Sequence, residues 1–555
     1  MNARIPTGQK NLLKRIFKKA VELFRNFYFG KTPHTIQGKA IILFPYLPGR
    51  LSCGLTGMVA FRSSQASPRD LPDADPESIS ALFKDISKQG LSNSEFDPAG
   101  KAEGYLGGRD AAERLFSAIR DLKENERFYN LFNSVLSRKK MSDLLKELEG
   151  FVETESVQLH TWMGRLPADE FDTVSTRIEV LKDAVWCLKT EILGNIEKVR
   201  DLLADTNEPS QTAVSVASQI NAVFNSIDRL EVRGRDSAGI SLLFILDEKD
   251  YLKFESEIDE KNLGEEFASR TNRSLLTNKS ISVRKSGSGK STQFAVALTY
   301  KVAAEIGSLG DNISFLRKQL CSDRLFQILL NEQHRYFTIS AHTRWASVGE
   351  INENNCHPVD ACTESTIIHD TGIIHVSLNG DIDNYQQLKA DHLARGVRYP
   401  EEISCDTKII PMHLAFYLNQ GHKVEEAFRL AVNDFKGSHA ISMHTDLAPG
   451  KIFLALKGSG QAVFIGLARD HYIPTSEVYG FAEQTPYFLK MEGEAAKKDE
   501  NGNTITGQIC IVDQDSGGGL SGISAMFYDG TPIEFTDDDI RRTALTSRDI
   551  DRQDF

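Results

Sequence analysis

Apolar residues repeat with two different periods along this chain, and the change of period comes near residue 239. Between about residues 70 and 222 they recur every three or four residues, which is the spacing of one face of an α-helix. From residue 239 they alternate with polar residues, or form short runs flanked by Gly, Asn, Asp or Pro, which is typical of strands. The pattern therefore predicts an α+β protein with a large helical region and stacked sheets.

The helical region, residues 70–222, contains two apolar seams. One of them alternates spacings of four and three residues with a polar break at Asn195, as in a coiled coil or a helical bundle. The two seams are predicted to fold back on each other as a helical hairpin or bundle whose role is structural. Their members are Val174, Ile178, Leu181, Val185, Leu188, Ile192, Val199 and Leu202 in one, and Leu115, Ile119, Leu122, Leu131, Val135, Leu144 and Leu148 in the other.

Short apolar runs with turn residues at both ends predict the strands. The polar segment 247–334 between the first two of these runs is predicted to be mostly helical. A further strand-like run at 40–44 precedes Cys53. The predicted strands of the stacked sheets are 240–246, 336–341, 373–378, 440–443, 452–456 and 463–467.

The segment from Asn11 to Gly30 is predicted to form a basic amphipathic helix, because Leu13, Phe17 and Phe24 recur at helical spacing. It has no uninterrupted apolar core and no small-residue cleavage pattern, so it is a poor secretory signal. A membrane-surface helix, an organelle presequence, a short pro-segment and a helix facing a partner protein remain alternatives. No stretch reaches the eighteen or more apolar residues of a membrane helix.

Charge is distributed unevenly. The net charge is −12, but residues 1–52 hold ten Lys or Arg and one acid, Glu22, and so carry +9 while the rest carries −21. An acidic body disfavours nucleic-acid binding. The seven cysteines are scattered and odd in number, which predicts a reducing, cytoplasmic location. Cys356 and Cys362 flank His357, but no second paired set follows, so neither a metal nor a cofactor is expected.

Five separated motifs carry candidate chemistry. Cys53-Gly54 offers a thiol followed by a residue that lets the backbone turn tightly. Arg-Gly-Arg-Asp-Ser-Ala-Gly at 233–239 follows a helix, His-Thr-Arg-Trp-Ala-Ser at 342–347 ends a strand, and Asn379-Gly380 joins a strand to a helix. Asp406-Thr407 precedes another helix. A phosphate-loop-like stretch at 286–291 is discounted because Arg284 stands where the first glycine is required.

Together with His-Pro at 357, these motifs resemble the class II glutamine amidotransferases, and His-Thr-Arg-Trp-Ala resembles the glutamine–fructose-6-phosphate aminotransferase branch. The resemblance covers residues 53–62 and 223–555. It implies a four-layer αββα sandwich of the N-terminal-nucleophile hydrolase type, interrupted by the helical insertion. It also implies a chain of four parts: a basic pro-segment at 1–52, a glutaminase domain at 53–69 plus 223–535, the insertion at 70–222, and a linker at 536–555.

The resemblance implies a reaction with L-glutamine. Cys53 would attack the side-chain amide and form a thioester, with its own α-amino group as the base. Asn379 and Gly380 would supply the two oxyanion donors. Arg344 would bind the α-carboxylate of glutamine and Asp406 its α-ammonium.

Three further substrate-binding positions are carried over from the family: Arg233 near the nucleophile, Trp345 near the ammonia exit, and Ser347. The chain departs from the family at Ser347 and Val348, where the family has Thr and His. Leu378 replaces a His, and Lys408 replaces a Glu. We expect these changes to affect glutamine affinity more than the chemistry.

The mechanism needs a free amine on Cys53, so cleavage between Ser52 and Cys53 is predicted. The implied whole enzyme is a glucosamine-6-phosphate synthase. Fructose 6-phosphate would bind only through a C-terminal half beyond residue 555, and the full-length enzyme would be a homodimer without membrane or nucleic-acid partners. Two alternatives remain: a glutaminase half that serves another acceptor, and a non-catalytic regulatory module.

Overall fold

Strands with one face toward a second sheet and one face toward helices build the centre of the molecule. The computed structural model describes residues 53–61, 75–92, 102–203, 208–232, 234–271, 275–287, 292–303, 310–363, 371–494, 496–498, 502 and 504–551. The predicted basic helix, the run at 40–44 and Arg233 lie outside these residues.

The larger of the two main sheets has nine strands in the order β17-β11-β9-β10-β1-β5-β2-β4-β3, and all neighbours are antiparallel. Its strands, in chain order, are β1 Gly54–Ala60, β2 Ser237–Asp247, β3 Ser280–Ser286, β4 Gln293–Ala303, β5 Tyr336–Arg344, β9 Phe464–Leu467, β10 His471–Thr475, β11 Tyr487–Lys490 and β17 Arg541–Arg542.

The smaller main sheet has six antiparallel strands in the order β16-β15-β14-β8-β7-β6. Its strands are β6 Ile374–Gly380, β7 His439–Thr445, β8 Lys451–Lys457, β14 Gln508–Asp513, β15 Ile523–Phe527 and β16 Pro532–Ile533. A separate hairpin pairs β12 Ala496–Lys498 with β13 Thr504–Thr506. All six strands predicted from the apolar runs are confirmed.

Helices occupy the outer faces. None in the described part of the chain is long and apolar enough to cross a membrane. They are α1 Pro76–Ser87, α2 Ala111–Asp121, α3 Asn125–Asn133, α4 Val135–Trp162, α5 Ala168–Trp186, α6 Asn195–Leu202, α7 Gln211–Leu230, α8 Glu248–Glu260, α9 Gly264–Thr271, α10 Asp311–Cys321, α11 Arg324–Leu330, α12 Tyr385–Ala394, α13 Ile409–Asn419, α14 Val424–Asp434, α15 Val478–Phe481 and α16 Ser547–Asp551.

Three apolar cores separate four layers. Helices α7, α8 and α10 pack against the outer face of the nine-stranded sheet. Val59, Leu454 and Val512 belong to a core shared by strands of both sheets. Leu378 and Phe428 belong to the core between the six-stranded sheet and helices α13 and α14. The predicted four-layer αββα sandwich is therefore confirmed.

The helical region follows the predicted seams with one exception. The seam that contains Asn195 runs along α5, a π-helical segment Cys187–Gly194 and α6, and all but one of its apolar members are buried. Val135 was predicted to lie in the second seam, but its side chain is 71% exposed. It is the first residue of α4 after the N-cap Ser134, and this end of the helix projects into solvent.

The segment 247–334 needs a correction. It contains helices α8 to α11, but also the long strands β3 and β4, which the sequence analysis assigned to helix. β4 pairs with β2 along eleven residues, so its centre is buried like that of a core strand. The phosphate-loop-like stretch joins β3 to β4, since Ser286 is paired with Gln293 across this connection. Residues 288–291 themselves lie outside the described part.

The helical region and the C-terminal segment are both bound to the nine-stranded sheet. The predicted domain boundary between residues 222 and 223 falls inside the continuous helix α7. Asn195, the predicted polar break, donates to the buried Glu483 at 2.7 Å. In the predicted linker, β17 pairs with β11, and the buried Ser547 accepts a hydrogen bond from Trp186 Nε1 at 2.7 Å. The division into domains stays a prediction.

Gly54 is required for space rather than for a turn. It lies in β1, opposite Thr343 of β5, and its backbone does not adopt the left-handed conformation. A Cβ atom at this position would lie 2.5 Å from Thr343 Oγ1 and 2.7 Å from Leu230 Cβ at the end of α7. The glycine therefore allows α7 to approach the first strand closely, which corrects the expectation of a tight turn.

Replacing Gly54 by alanine is expected to lower the free energy of unfolding by about 2–3 kcal/mol, because the added methyl group must displace Leu230 or Thr343. Urea unfolding measures the change. Gly150→Ala is the control: this exposed glycine in α4 has open space around it, and the variant should be neutral or slightly more stable. Equal stability of Gly54→Ala and wild type would refute the packing argument.

Burial also sets the pH dependence of stability. It lowers the pKa of seven imidazoles, so these side chains stay neutral in the folded chain where the unfolded chain would bind protons. Stability should therefore fall as the pH drops from about 6.5 toward 4. The seven are His334 and His375 (pKa about 4), His392 (about 4), His342 and His439 (about 3), and His357 and His444 (well below the usual value).

Urea unfolding at pH 7.5, 6.5 and 5.5 tests this dependence. Asp183 and Asp406, whose pKa values burial raises to about 6, oppose the trend but are outnumbered. His439→Gln removes one of the seven buried imidazoles and should therefore reduce the slope of the free energy of unfolding against pH. His422→Gln, at an exposed position, should leave this slope unchanged. Stability that stays constant or rises between pH 6.5 and 5.5 would contradict the prediction.

Candidate active site

Cys53 lies at the entrance to β1, in the middle of the nine-stranded sheet. Its side chain is only 8% exposed. Its Sγ accepts a hydrogen bond from the backbone N–H of Trp345 at 3.3 Å and lies 3.5 Å from the carbonyl oxygen of the same residue. The thiol therefore sits against the backbone that leaves the end of β5.

The segment after β5 is held by hydrogen bonds from two residues, Asp236 and Arg344. Asp236 donates its N–H to the carbonyl of Arg344 and accepts the N–H of Ala346 at 2.8 Å. The buried guanidinium of Arg344 donates to the carbonyls of Val348 and Glu350. These bonds fix the turn at 345–350 and place a positive charge beside Cys53.

Asn379, at the end of β6, reaches across from the other sheet. Its Nδ2 donates to the carbonyl oxygen of Cys53 at 2.8 Å, and its Oδ1 lies 2.9 Å from Nε2 of His342. Gly380 follows with a φ of +89°, and a Cβ there would lie 2.2 Å from the carbonyl oxygen of Ser438. Only glycine fits this position, both in conformation and in space.

Asp406 is a buried carboxylate close to the same place. Its Oδ2 accepts the N–H of Ile382 at 2.9 Å. Burial, with Asp381 adding to it, raises the pKa of Asp406 to about 6, although the N–H of Ile382 and the charge of Arg344 favour the ionised form. The group is thus ionised at neutral pH and protonated in mild acid.

Burial also raises the pKa of the Cys53 thiol to about 11. The N–H of Trp345 and the charge of Arg344 act in the opposite direction, while Asp381 and Asp406 raise the pKa further. At neutral pH the resting side chain is therefore a thiol and not a thiolate.

Three predicted site residues remain: Trp345 and Ser347 have exposed side chains, and Arg233 is not among the described residues. The indole of Trp345 is 38% exposed, and the contact of this residue with Cys53 is made by its backbone. Ser347 is exposed and donates to Asp381 Oδ1 at 2.6 Å. The structure thus brings Cys53, Arg344 and Asn379 together. The Asp406 carboxylate lies close enough for its charge to raise the pKa of the thiol.

The departures from the family pattern have structural explanations. Leu378 packs into the core against α13, on the opposite face of β6 from Asn379. The Lys408 ammonium is buried and donates to Asp360 Oδ1 at 3.1 Å and to the carbonyl of Cys362 at 2.8 Å. Val348 contributes its carbonyl to Arg344. Leu378 and Lys408 therefore make buried contacts of their own, one in the apolar core and one in an ion pair with Asp360.

Sequence reasoning missed five residues that contact the site: Asp236, His342, His357, Asp381 and Thr407. All except Asp381 belong to the quoted motifs but were given no role. The available signal was the period of a strand: His342 is two residues before Arg344 and so shares its face of β5. Within the described residues no group of three or more His, Cys, Asp or Glu could hold a metal ion.

Comparison with known proteins adds relatives for part of the chain, although no family model matches it. It is 29% identical over 158 residues to the glutamine–fructose-6-phosphate aminotransferase of Acinetobacter baylyi, which is 28% of this chain and 24% of the relative. The enzyme of the same name from Methanothermobacter thermautotrophicus is 27% identical over 182 residues, 31% of this chain and 29% of the relative.

The Staphylococcus aureus enzyme of that name is 26% identical over 196 residues, 34% of this chain and 30% of the relative. The matched segments thus span about a quarter to a third of the length of these curated relatives.

Two solved structures are similar to about half of this chain, with low TM-scores. One is described as the allosteric regulatory enzyme of purine biosynthesis (16% identity, TM-score 0.32, covering 55% of this chain and 46% of the other). The other is a glutamine phosphoribosylpyrophosphate amidotransferase from B. subtilis (15% identity, TM-score 0.29, covering 52% and 49%). At such low TM-scores, the fold assignment rests on the two sheets and helix layers of this chain itself. The resemblance read from the motifs is confirmed by the curated relatives: the chain is similar to the class II glutamine amidotransferases, and its named relatives are glutamine–fructose-6-phosphate aminotransferases.

Proposed function

We propose that this chain hydrolyses the side-chain amide of L-glutamine to glutamate and ammonia through a thioester on Cys53. The observation that carries the proposal is the meeting of Cys53 with Asn379 and the backbone of Trp345, although 326 and 292 residues separate them in sequence. A thiol, an amide donor and an anchored arginine are the groups that acyl transfer from glutamine needs.

The proposed chemistry starts from a thiol that, within the part of the chain that the structure describes, has no basic side chain as its hydrogen-bond partner. With a pKa of about 11, only about one thiol in ten thousand is ionised at pH 7. Among the described residues, the groups that hydrogen-bond to Sγ are the N–H and carbonyl of Trp345. An α-amino group on Cys53, with an ordinary pKa of about 7.7–8.0, is the base that fits this environment. We therefore propose cleavage between Ser52 and Cys53, with residues 1–52 as a pro-segment.

In this mechanism the amine takes the proton of the thiol while sulfur attacks the amide carbon. The proton then passes to the leaving nitrogen, ammonia departs, and water hydrolyses the thioester to glutamate and a free thiol. Asn379 Nδ2 carries two hydrogens: one donates to Cys53, and we propose that the second, with the N–H of Gly380, stabilises the oxyanion.

Binding of glutamine is proposed to use opposite charges at fixed places. Arg344 is the partner of the α-carboxylate, and Asp406 is the partner of the α-ammonium above pH 6. Trp345 is proposed to line the ammonia exit, and Ser347 to contact the substrate from its position against Asp381. Arg233 is proposed to act near the nucleophile.

The ammonia acceptor is a separate proposal, because the matched segments cover so little of the relatives' length. The names of the relatives support fructose 6-phosphate, and hence a glucosamine-6-phosphate synthase, over another acceptor. A homodimer and a cytoplasmic location are proposed with it. A non-catalytic regulatory module is the second candidate function, and the high pKa of the Cys53 thiol favours it as long as residues 1–52 stay attached.

The intact mass of the purified chain, with and without a glutamine-mimicking electrophile, separates these functions. We expect a chain that begins at Cys53, takes up one adduct and releases glutamate from glutamine. Cys53→Ala should lose adduct and activity, while Cys362→Ala, which removes an exposed thiol, should keep both. A full-length chain without adduct or glutamate release would make the regulatory module the better proposal.

The pH dependence of glutaminase activity tests the role of Asp406. The value of kcat/KM should rise through pH about 6 as this carboxyl ionises. Asp406→Asn should raise KM on the order of tenfold or more, because a charge-assisted hydrogen bond is worth about 1.5–3 kcal/mol, and should remove this limb of the profile. Asp381→Asn serves as the matched variant: loss of its charge lowers the pKa of Asp406, so the limb should move to lower pH. An unchanged profile in Asp406→Asn would exclude the proposed role.

A further inference from the structure

A continuous line of buried polar side chains leads from Asp406 to Cys53. Thr407 Oγ1 lies 2.8 Å from His357 Nε2, and His357 Nδ1 lies 3.4 Å from His342 Nε2. From there the line passes to Asn379 Oδ1 at 2.9 Å and, through Asn379 Nδ2, to the carbonyl of Cys53 at 2.8 Å. Thr407, His357, His342 and Asn379 are all buried.

The proton positions in this line follow from its neighbours. His342 Nε2 faces two acceptors, the carbonyl of Leu378 at 2.9 Å and Asn379 Oδ1, so Nε2 must carry the hydrogen. His357 Nδ1 faces the N–H of Leu378 at 3.4 Å, so Nδ1 accepts and Nε2 donates to Thr407. The hydroxyl of Thr407 in turn points to Asp406 Oδ1 at 3.4 Å.

Both imidazoles are neutral under ordinary conditions. Burial lowers the pKa of His342 to about 3, and it lowers that of His357 well below the usual value, with His342 and Arg344 adding to the effect. The hydrogen-bond directions given above therefore persist over the whole range in which the site would work.

The direction of the His342 bond decides which end of the Asn379 amide faces the nucleophile. With Nε2–H of His342 on Oδ1, the amide nitrogen is turned toward Cys53. A flipped amide would bring an oxygen to the place where negative charge develops and would leave the His342 N–H opposite an NH2 group. That orientation loses the hydrogen bonds from His342 to Asn379 and from Asn379 to Cys53, because two donors and two oxygen acceptors then face each other; the cost is about 1–3 kcal/mol.

We propose that His342 is a positioning residue for glutamine hydrolysis, which holds the Asn379 amide nitrogen toward Cys53 through its Nε2–H, while His357 and Thr407 tie this arrangement to Asp406. The inference rests on the proposed function, because it concerns the oxyanion donor of that reaction. It adds a structural link between Asp406, the proposed partner of the α-ammonium, and Asn379, the proposed oxyanion donor.

Two variants of His342 in the purified chain that begins at Cys53 provide the test. His342→Leu removes the N–H donor and should lower kcat for glutamine hydrolysis on the order of a hundredfold, with KM within about twofold. His342→Gln offers an amide N–H in a similar place and should recover most of kcat. Iodoacetamide alkylation of Cys53 should keep its rate in both variants, because displacement of iodide develops no oxyanion.

Three results would overturn the proposal. Unchanged kcat in His342→Leu would show that Asn379 needs no positioning. A parallel fall of kcat and of the alkylation rate would show that His342 merely supports the fold. A loss in His342→Gln as large as that in His342→Leu would show that the N–H donor is irrelevant.

A second measurement does not depend on activity or on the folding of variants. Nitrogen-15 NMR of the wild-type chain should show His342 as the neutral Nε2–H tautomer from pH 5 to pH 8. An Nδ1–H tautomer or an imidazolium in this range would overturn the proposal. If the chain that begins at Cys53 hydrolyses no glutamine, the proposed function fails, and the NMR result alone then decides whether His342 orients Asn379.

Discussion

The hydrogen bond from Asn379 to the carbonyl of Cys53 joins the two sheets at the one point where the chemistry is proposed. It requires Cys53, which precedes β1, and Asn379, near the end of β6, to face each other across the two sheets. Gly54 lets α7 press the entrance of β1 into place, and Gly380 lets the end of β6 turn against Ser438. Tight packing on both sides thus holds one hydrogen bond, from the Asn379 side chain to the backbone carbonyl of Cys53, between residues that are far apart in sequence.

Much of this arrangement can be predicted from the sequence, because the short motifs lie where strands end and where helices begin. Strand order could not be predicted, since pairing depends on which surfaces are complementary and not on period alone. The polar residues His375, Ser377 and Asn379 alternate with apolar ones and look like the solvent face of an edge strand. In the structure they face the other sheet: His375 Nδ1 lies 2.6 Å from Ser241 Oγ. A period of two gives the faces of a strand but not what covers them.

The helical region shows the same limit of sequence reasoning. Asn195 is the polar break in an apolar seam, and the sequence assigns it no partner. It is instead a buried partner of Glu483, whose carboxylate also pairs with Arg229 at 2.6 Å. Burial acts to raise the pKa of Glu483, but the charges of Arg229 and Lys123 outweigh it and lower the pKa to about 2. The helical region is thereby attached to the turn that precedes β11 through polar groups that lie hundreds of residues apart in sequence.

The burial of Cys53 restricts how the proposed mechanism can work, and it also explains why the proposed base is the α-amino group of the same residue. The environment that raises the thiol pKa to about 11 strengthens every interaction between Arg344, Asn379 and a developing oxyanion, because fewer water molecules screen it. In the proposed mechanism the proton must then leave sulfur while the carbon–sulfur bond forms, and its acceptor must lie within hydrogen-bond reach. A side-chain base would need its own support inside a crowded interface between sheets. The α-nitrogen of Cys53 is joined to Sγ through two carbon atoms, so the covalent structure places the base there without further contacts, provided that the nitrogen is a free amine.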